Sequence, residues 1–80
     1  MNLSDAVRAR IIGLIDSKKI TISKLSTLAA ISRSTLSKFL SGKTNLIRLD
    51  IIEYICEGVG ITLSEFFSSE EFYEVEVKEE

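Results

Sequence analysis

Residues 21–43 read TISKLSTLAAISRSTLSKFLSGK. The spacing predicts two short helices joined by a tight turn. Thr21 stands where it can accept a hydrogen bond from the free N–H groups of a helix starting at Ile22 or Ser23. Leu25, Leu28 and Ala29 then recur at helical intervals and give one apolar face. That face stops at Ala30–Ile31. Ser32 is a second N-cap, and Leu36, Phe39 and Leu40 repeat the helical interval behind it. Gly42 follows where a left-handed C-cap is wanted. Helices of about two to three turns are not stable alone in water. Both must therefore bury their apolar faces, against each other and against the rest of the chain.

The residues left off the apolar stripe of the second helix carry the chemistry. Arg33, Ser34, Ser37 and Lys38 are hydroxyls and long cations with no carboxylate among them. Such a set can approach a polyanion and donate to base edges and phosphates. Lys43, Thr44 and Asn45 follow in a loop suited to gripping a nucleic-acid backbone. Taken singly, each of these residues is equally at home on a solvated helix face; the constellation is what points to DNA.

At this point the chain resembles a known family. TISKLSTLAAISRSTLSKFLSGKTN followed by LDIIEYICEGVGITLSEFF is similar to the helix-turn-helix domain of phage Cro, lambda-type repressors and xenobiotic-response-element regulators. The resemblance spans about residues 5–67, and its most specific parts are ISRSTLSKFLSGK and ICEGVGITLSEFF. It implies an all-α bundle of about five helices that binds operator DNA, usually as a dimer. It departs from the family pattern in several places. Ile22 stands where a phosphate-contacting Gln is frequent, and Ala30 where Gly is frequent between the paired helices. Ile15 and Leu40 align with a buried Arg and a Glu that face each other in many relatives. Replacing both ions by apolar groups is physically sensible, because a buried pair barely outweighs its desolvation. The usual Pro after the recognition loop is absent, and the loop is one residue longer.

Composition sets the outer bounds. Eighty residues suit one domain with a modest core. Hydrophobic content of 45% and charged content of 28% are those of an ordinary soluble globule. No apolar run approaches a membrane span, and MNLSDAVRAR has no signal-peptide pattern, so the expected location is the cytoplasm. Enzyme chemistry has little to stand on. The chain has no His and one Cys, which removes Cys/His metal sets, a Cys–His nucleophile pair and an internal disulfide. Gly13, Gly42, Gly58 and Gly60 are scattered rather than gathered in a phosphate loop. No cofactor is implied.

The net charge of −2 hides a sharp division. Residues 1–49 hold nine Lys/Arg against two Asp, a net of +7, and residues 50–80 hold one Lys against ten Asp/Glu, a net of −9. A basic half on an acidic protein is the electrostatic footprint expected of a DNA binder.

Taken in order, Ser4 and Asp5 open a first helix whose buried stripe is Val7, Ile11, Leu14 and Ile15, closed by Lys18 and Lys19. Arg8 reads as an exposed cation within reach of DNA backbone. Gly13, mid-helix, costs about 1 kcal/mol relative to Ala and leaves room for a close neighbour. A fourth helix starts either at an Asn45 cap or near Leu49–Asp50, with Leu49, Ile52, Ile55, Cys56 and Val59 inward, and Gly60 ends it. Cys56 reads as a small packing residue. Thr62–Glu65 is a capping box for a short fifth helix, with Ile61 and Phe66 as its hydrophobic staple. Ile47, Ile51, Tyr54 and Phe67 are left over, either as an interface or packed under the tail. In the tail, Tyr73, Val75 and Val77 alternate with charges at a strand period. That predicts a pairing strand, a segment lying along the bundle, or a frayed acidic tail.

These readings give a helix-turn-helix domain over 1–68 and an acidic tail or dimer-pairing strand over 69–80. The expected function is a sequence-specific, homodimeric DNA-binding regulator, a repressor that reads an approximate palindrome. Arg33, Ser34, Ser37 and Lys38 are the base contacts, and Thr21, Ser23, Ser41, Lys43, Thr44 and Asn45 the phosphate contacts. The alternative is a protein-interaction module or antitoxin that uses the same fold to bind a protein partner.

Overall fold

The computed structural model describes residues 1–75. They form α1 (Leu3–Lys18), α2 (Ile22–Ala29), α3 (Arg33–Leu40), α4 (Leu49–Val59) and α5 (Leu63–Phe67), followed by a 3-10 turn at Glu70–Phe72. The all-α bundle of five helices with a helix-turn-helix is therefore what the described residues build, and most boundaries follow from local capping chemistry. Lys24 N–H donates to Thr21 Oγ1 at 3.0 Å and starts α2; Thr35 N–H donates to Ser32 Oγ and starts α3. Thr62 and Glu65 exchange both bonds of the capping box at 3.0 Å. The start of α1 is one cap earlier than expected: Asn2 Oδ1 accepts from Asp5 N–H, and the Ser4 hydroxyl is used elsewhere.

Three helices end alike. After α3, Gly42 N–H reaches Phe39 O and Lys43 N–H reaches Lys38 O, the paired bonds of a Schellman ending, with Gly42 at φ +84°. The same bonds close α1 through Lys19 and Ile20, and α2 through Ala30 and Ile31. There the left-handed residue is not glycine: Lys19 and Ala30 both sit at φ 54°.

The core takes Val7, Ile11 and Leu14 from α1, Leu25 and Ala29 from α2, Leu36 and Phe39 from α3, Ile52, Ile55 and Cys56 from α4, and Phe66 from α5. Cys56 is buried and free, and its burial pushes the thiol above its ordinary range, partly opposed by the charge of Arg10. Ile15 and Leu40, the apolar stand-ins for an ion pair, are both half-buried and line one depression. α2 and α4 pack against each other, and Gly58 is why they can approach so closely. A Cβ at Gly58 would stand 2.8 Å from the carbonyl carbon and oxygen of Leu28 and 3.0 Å from Ala29 N.

The expected inward stripes are corrected at two places. Leu28 is 41% exposed, because α4 meets α2 through the Leu28–Ala29 backbone rather than through its side chain. Leu49 is 79% exposed: it is the first residue of α4, and among the described residues no element lies over it. The start of α4 falls at Leu49, not at an Asn45 cap, and Arg48 supplies no side-chain cap bond. Ile47 and Ile51 are half-buried against the core.

The strand expected at Tyr73–Val77 does not form over the described part. Tyr73 has helical torsions and donates to Glu70 O, and Val75 N–H donates to Phe72 O. Aromatic packing accounts for this turn: the rings of Phe67 and Phe72 lie 5.0 Å apart, and Phe66 meets Phe67 edge-on at 4.9 Å. The turn lies along α1, with Glu71 Oε1 3.7 Å from where a Gly13 Cβ would be. Val77 lies outside the described residues.

Candidate nucleic-acid interface

α3 buries one side and offers the other to solvent. Leu36 and Phe39 turn inward, while Arg33, Ser34, Thr35, Ser37 and Lys38 are exposed. The spacing 34, 37, 38, 41 puts successive side chains on one helical face. Ser34, Ser37, Lys38, Ser41 and Lys43 line a single open depression of about 370 Å³. Three of these were expected to touch bases and two to touch phosphates. Arg33, the first residue of α3, is exposed at the end of the same helix.

Thr21 and Ser23 are also exposed, flanking Ile22 at the start of α2. Ile22 shares with Ser37 and Ser41 a neighbouring apolar depression, also lined by Ile12, Ile15 and Leu40. The N-terminus of α2 thus sits beside the C-terminal half of α3, so both helices contribute to one surface.

The electrostatics of this surface are simple. Residues 17–49 contain seven Lys/Arg and no Asp or Glu. Lys18, Lys19, Lys24, Arg33, Lys38 and Lys43 are all exposed. Arg48 is exposed as well, but its guanidinium pairs with Asp50 at 2.6 Å. The first turn of α3 holds no carboxylate to offset the positive end of its dipole. An anion approaching here meets cations, hydroxyl donors and a helix N-terminus without local repulsion.

Two of the nine cations in the basic half are withdrawn from that field. Arg8 is not an exposed residue reaching outward; its side chain is 15% exposed. Its Nε donates to Phe39 O at 2.7 Å, its Nη2 to Thr44 O at 3.2 Å and to Asn45 Oδ1 at 3.0 Å, and its Nη1 pairs with Asp5 at 2.8 Å. Arg10 does the same for α5, donating to Phe66 O and Glu65 O and lying over the Phe66 ring. Each arginine satisfies carbonyls at a helix C-terminus, where a cation is favoured.

The loop residues are bonded within the fold. Thr44 Oγ1 accepts from Leu46 N–H, its carbonyl accepts from Arg8, and Asn45 accepts from both Arg8 and Ser4 Oγ. Ser41 Oγ donates to Lys38 O. Lys43 makes no such side-chain bond among the described residues and extends from the rim of the depression.

Sequence reasoning passed over Arg8 as a positioning residue and Thr35 as an exposed member of α3. Thr35 lines a second depression with Lys38, Thr44 and Arg48. Its position, one before the buried Leu36, was the available signal. Arg8 carried none, since its partners lie 31–37 residues away in sequence.

No helix among the described residues is long and apolar enough to cross a membrane, and no cluster of potential metal ligands occurs among them. No curated protein and no solved structure matches the chain. The model of one family does, and it covers residues 10–71, which include the C-terminal part of α1 and all of α2, the turn, α3, α4 and α5. The chain belongs to the family of Cro/C1-type helix-turn-helix DNA-binding domains.

Proposed function

We propose that the protein is a sequence-specific transcriptional repressor that acts by occupying an approximately palindromic operator as a homodimer. The observation that carries this reading is the depression lined by Ser34, Ser37, Lys38, Ser41 and Lys43, on a stretch of chain without carboxylates. In this reading residues 1–68 are the DNA-binding unit and 69–80 an appended acidic tail. The N-terminus of α3 enters the major groove. Arg33 contacts a guanine through two guanidinium donors, and Ser34, Ser37 and Lys38 read or buttress neighbouring base edges. Thr21, Ser23, Ser41, Lys43, Thr44 and Asn45 meet phosphates and set the register. Two copies would present their recognition helices about 34 Å apart on one face of the duplex.

Gel shift against genomic fragments at two salt concentrations tests the DNA-binding step. Repeated selection from random DNA then tests specificity. The expected result is salt-sensitive binding and an enriched motif with two inverted halves. Binding that is absent, or indifferent to both salt and sequence, would contradict it and favour a protein-interaction role.

A further inference from the structure

We propose that Arg8 is a positioning residue for DNA binding: it turns the Asn45 side-chain amide so that the NH2 group is offered to a backbone phosphate. The inference rests on the DNA-binding reading above and adds to it the device that aims one contact. A guanidinium carries five N–H donors and no acceptor. Arg8 Nη2 lies 3.0 Å from the Asn45 amide oxygen. Only an oxygen can face that donor, so Oδ1 is held towards Arg8 and Nδ2 stands on the far side of the amide. Asn45 is exposed, and its Nδ2 has no hydrogen-bond partner among the described residues.

The amide has little freedom to turn round. The guanidinium is fixed by three further acceptors, Phe39 O at 2.7 Å, Asp5 Oδ1 at 2.8 Å and Thr44 O at 3.2 Å. The Asn45 carbonyl accepts from Ser4 Oγ at 2.7 Å, which holds the backbone that carries the amide. A flip by half a turn would exchange a charge-assisted bond for two donors facing each other. Thr44 is arranged in the same sense: its Oγ1 accepts from Leu46 N–H at 3.1 Å and its carbonyl from Arg8. The acceptors of both residues are thus engaged within the chain. What they still offer is hydrogen, from the Thr44 hydroxyl and the Asn45 amide, next to the exposed Lys43. A run of donors beside a cation fits a ligand that carries only acceptors and negative charge, and a phosphodiester is such a group.

Arg8 does not make the contact itself. Its side chain is 15% exposed, and each of its three nitrogens already donates within the chain. It acts through Asn45, which is neutral, so its influence on DNA binding reaches the affinity without adding a charge to the interface.

Fluorescence anisotropy of the full chain with a selected operator and with an unrelated duplex, at two salt concentrations, tests this. Asn45→Asp keeps an oxygen towards Arg8 and puts a charged oxygen where the NH2 was. It should melt no lower than the wild type, yet raise the dissociation constant about tenfold or more on both duplexes. Leu46→Asp adds the same charge at the next exposed position, away from Arg8, and should raise it about threefold at most. Asn45→Ala should weaken both duplexes while leaving the salt slope unchanged, since no charge is removed. Arg8→Lys should raise the dissociation constant about fivefold when Asn45 is present and about twofold at most in the Asn45→Ala background, the mark of two residues acting as a unit. An Asn45→Asp protein that binds within about threefold of the wild type, a Leu46→Asp loss as large as that of Asn45→Asp, or an Arg8→Lys cost that is equal with and without Asn45 would each overturn the proposal. The DNA-binding reading fails separately: a wild type that binds neither duplex at either salt concentration refutes the regulator and this contact with it, whereas a wild type that binds while Asn45→Asp binds equally well refutes only the role of Arg8 and Asn45.

Discussion

Arg8 holds Phe39 at two points: its Nε donates to the Phe39 carbonyl at 2.7 Å, and its guanidinium carbon lies 4.8 Å from the centre of the Phe39 ring. The last fully buried residue of α3 is thereby fixed from α1. Further bonds from the same guanidinium reach Thr44 and Asn45, so one side chain sets both the end of α3 and the loop that follows.

Replacing Arg8 by Ala should lower unfolding stability by about 2–3 kcal/mol, because hydrogen bonds to a charged, mostly buried donor are lost, the Thr44 carbonyl loses its Arg8 partner and Phe39 O keeps only the Gly42 N–H. Arg8→Lys should recover only part of this, since an ammonium cannot reproduce the planar fork that spans four acceptors, Phe39 O, Thr44 O, Asn45 Oδ1 and Asp5 Oδ1. Urea denaturation of the three proteins checks both statements.

Ala30 occupies the left-handed position between α2 and α3 at φ 54°. A Cβ there costs about 1–2 kcal/mol, partly offset by the greater freedom of glycine in the unfolded chain. Ala30→Gly should therefore raise stability by about 0.5–1 kcal/mol without altering DNA preference. Thermal melts alongside binding curves would show it.

Gly58 predicts the opposite sign. In a solvent-exposed helix interior, Gly→Ala would stabilise by about 1 kcal/mol. Here the new methyl would meet Leu28 backbone at 2.8 Å, and backbone cannot step aside like a flexible side chain. Gly58→Ala should lower stability by about 1–3 kcal/mol, the usual cost of overpacking. It should also weaken DNA binding, because α2 must shift to make room. The melting temperature and the affinity should fall together.

What could be read in advance was local. Thr21, Ser32 and the Thr62–Glu65 box state their helix starts within four residues, and Gly42 and Gly60 state their ends. The polar face of α3 followed from the same register. What could not be read depends on residues far apart. Arg8 is an ordinary surface cation until the fold brings Phe39, Thr44 and Asn45 to it. Leu28 and Leu49 fit an inward stripe by period, yet whether a stripe position is covered depends on which element lies opposite. The tail alternates like a strand, but at Phe72 the nearby rings of Phe66 and Phe67 offer a better burial than an unpaired edge. The basic half looked more available than it is, since Arg8 and Arg10 are spent on helix ends.

The central claim is that the exposed edge of α3 reads bases. It is tested most directly by measuring the affinity of wild type and Arg33→Ala for a selected operator and for every single-base-pair variant of it. The account predicts a loss of about 1–3 kcal/mol on the best sequence and near-equal affinity for all four pairs at one position, with preferences elsewhere kept. Lys43→Ala, measured in parallel, should weaken all sequences alike and flatten the salt dependence by about one charge. If Arg33→Ala keeps both the affinity and the full base preference of the wild type, Arg33 does not read DNA and the assignment of this edge is wrong.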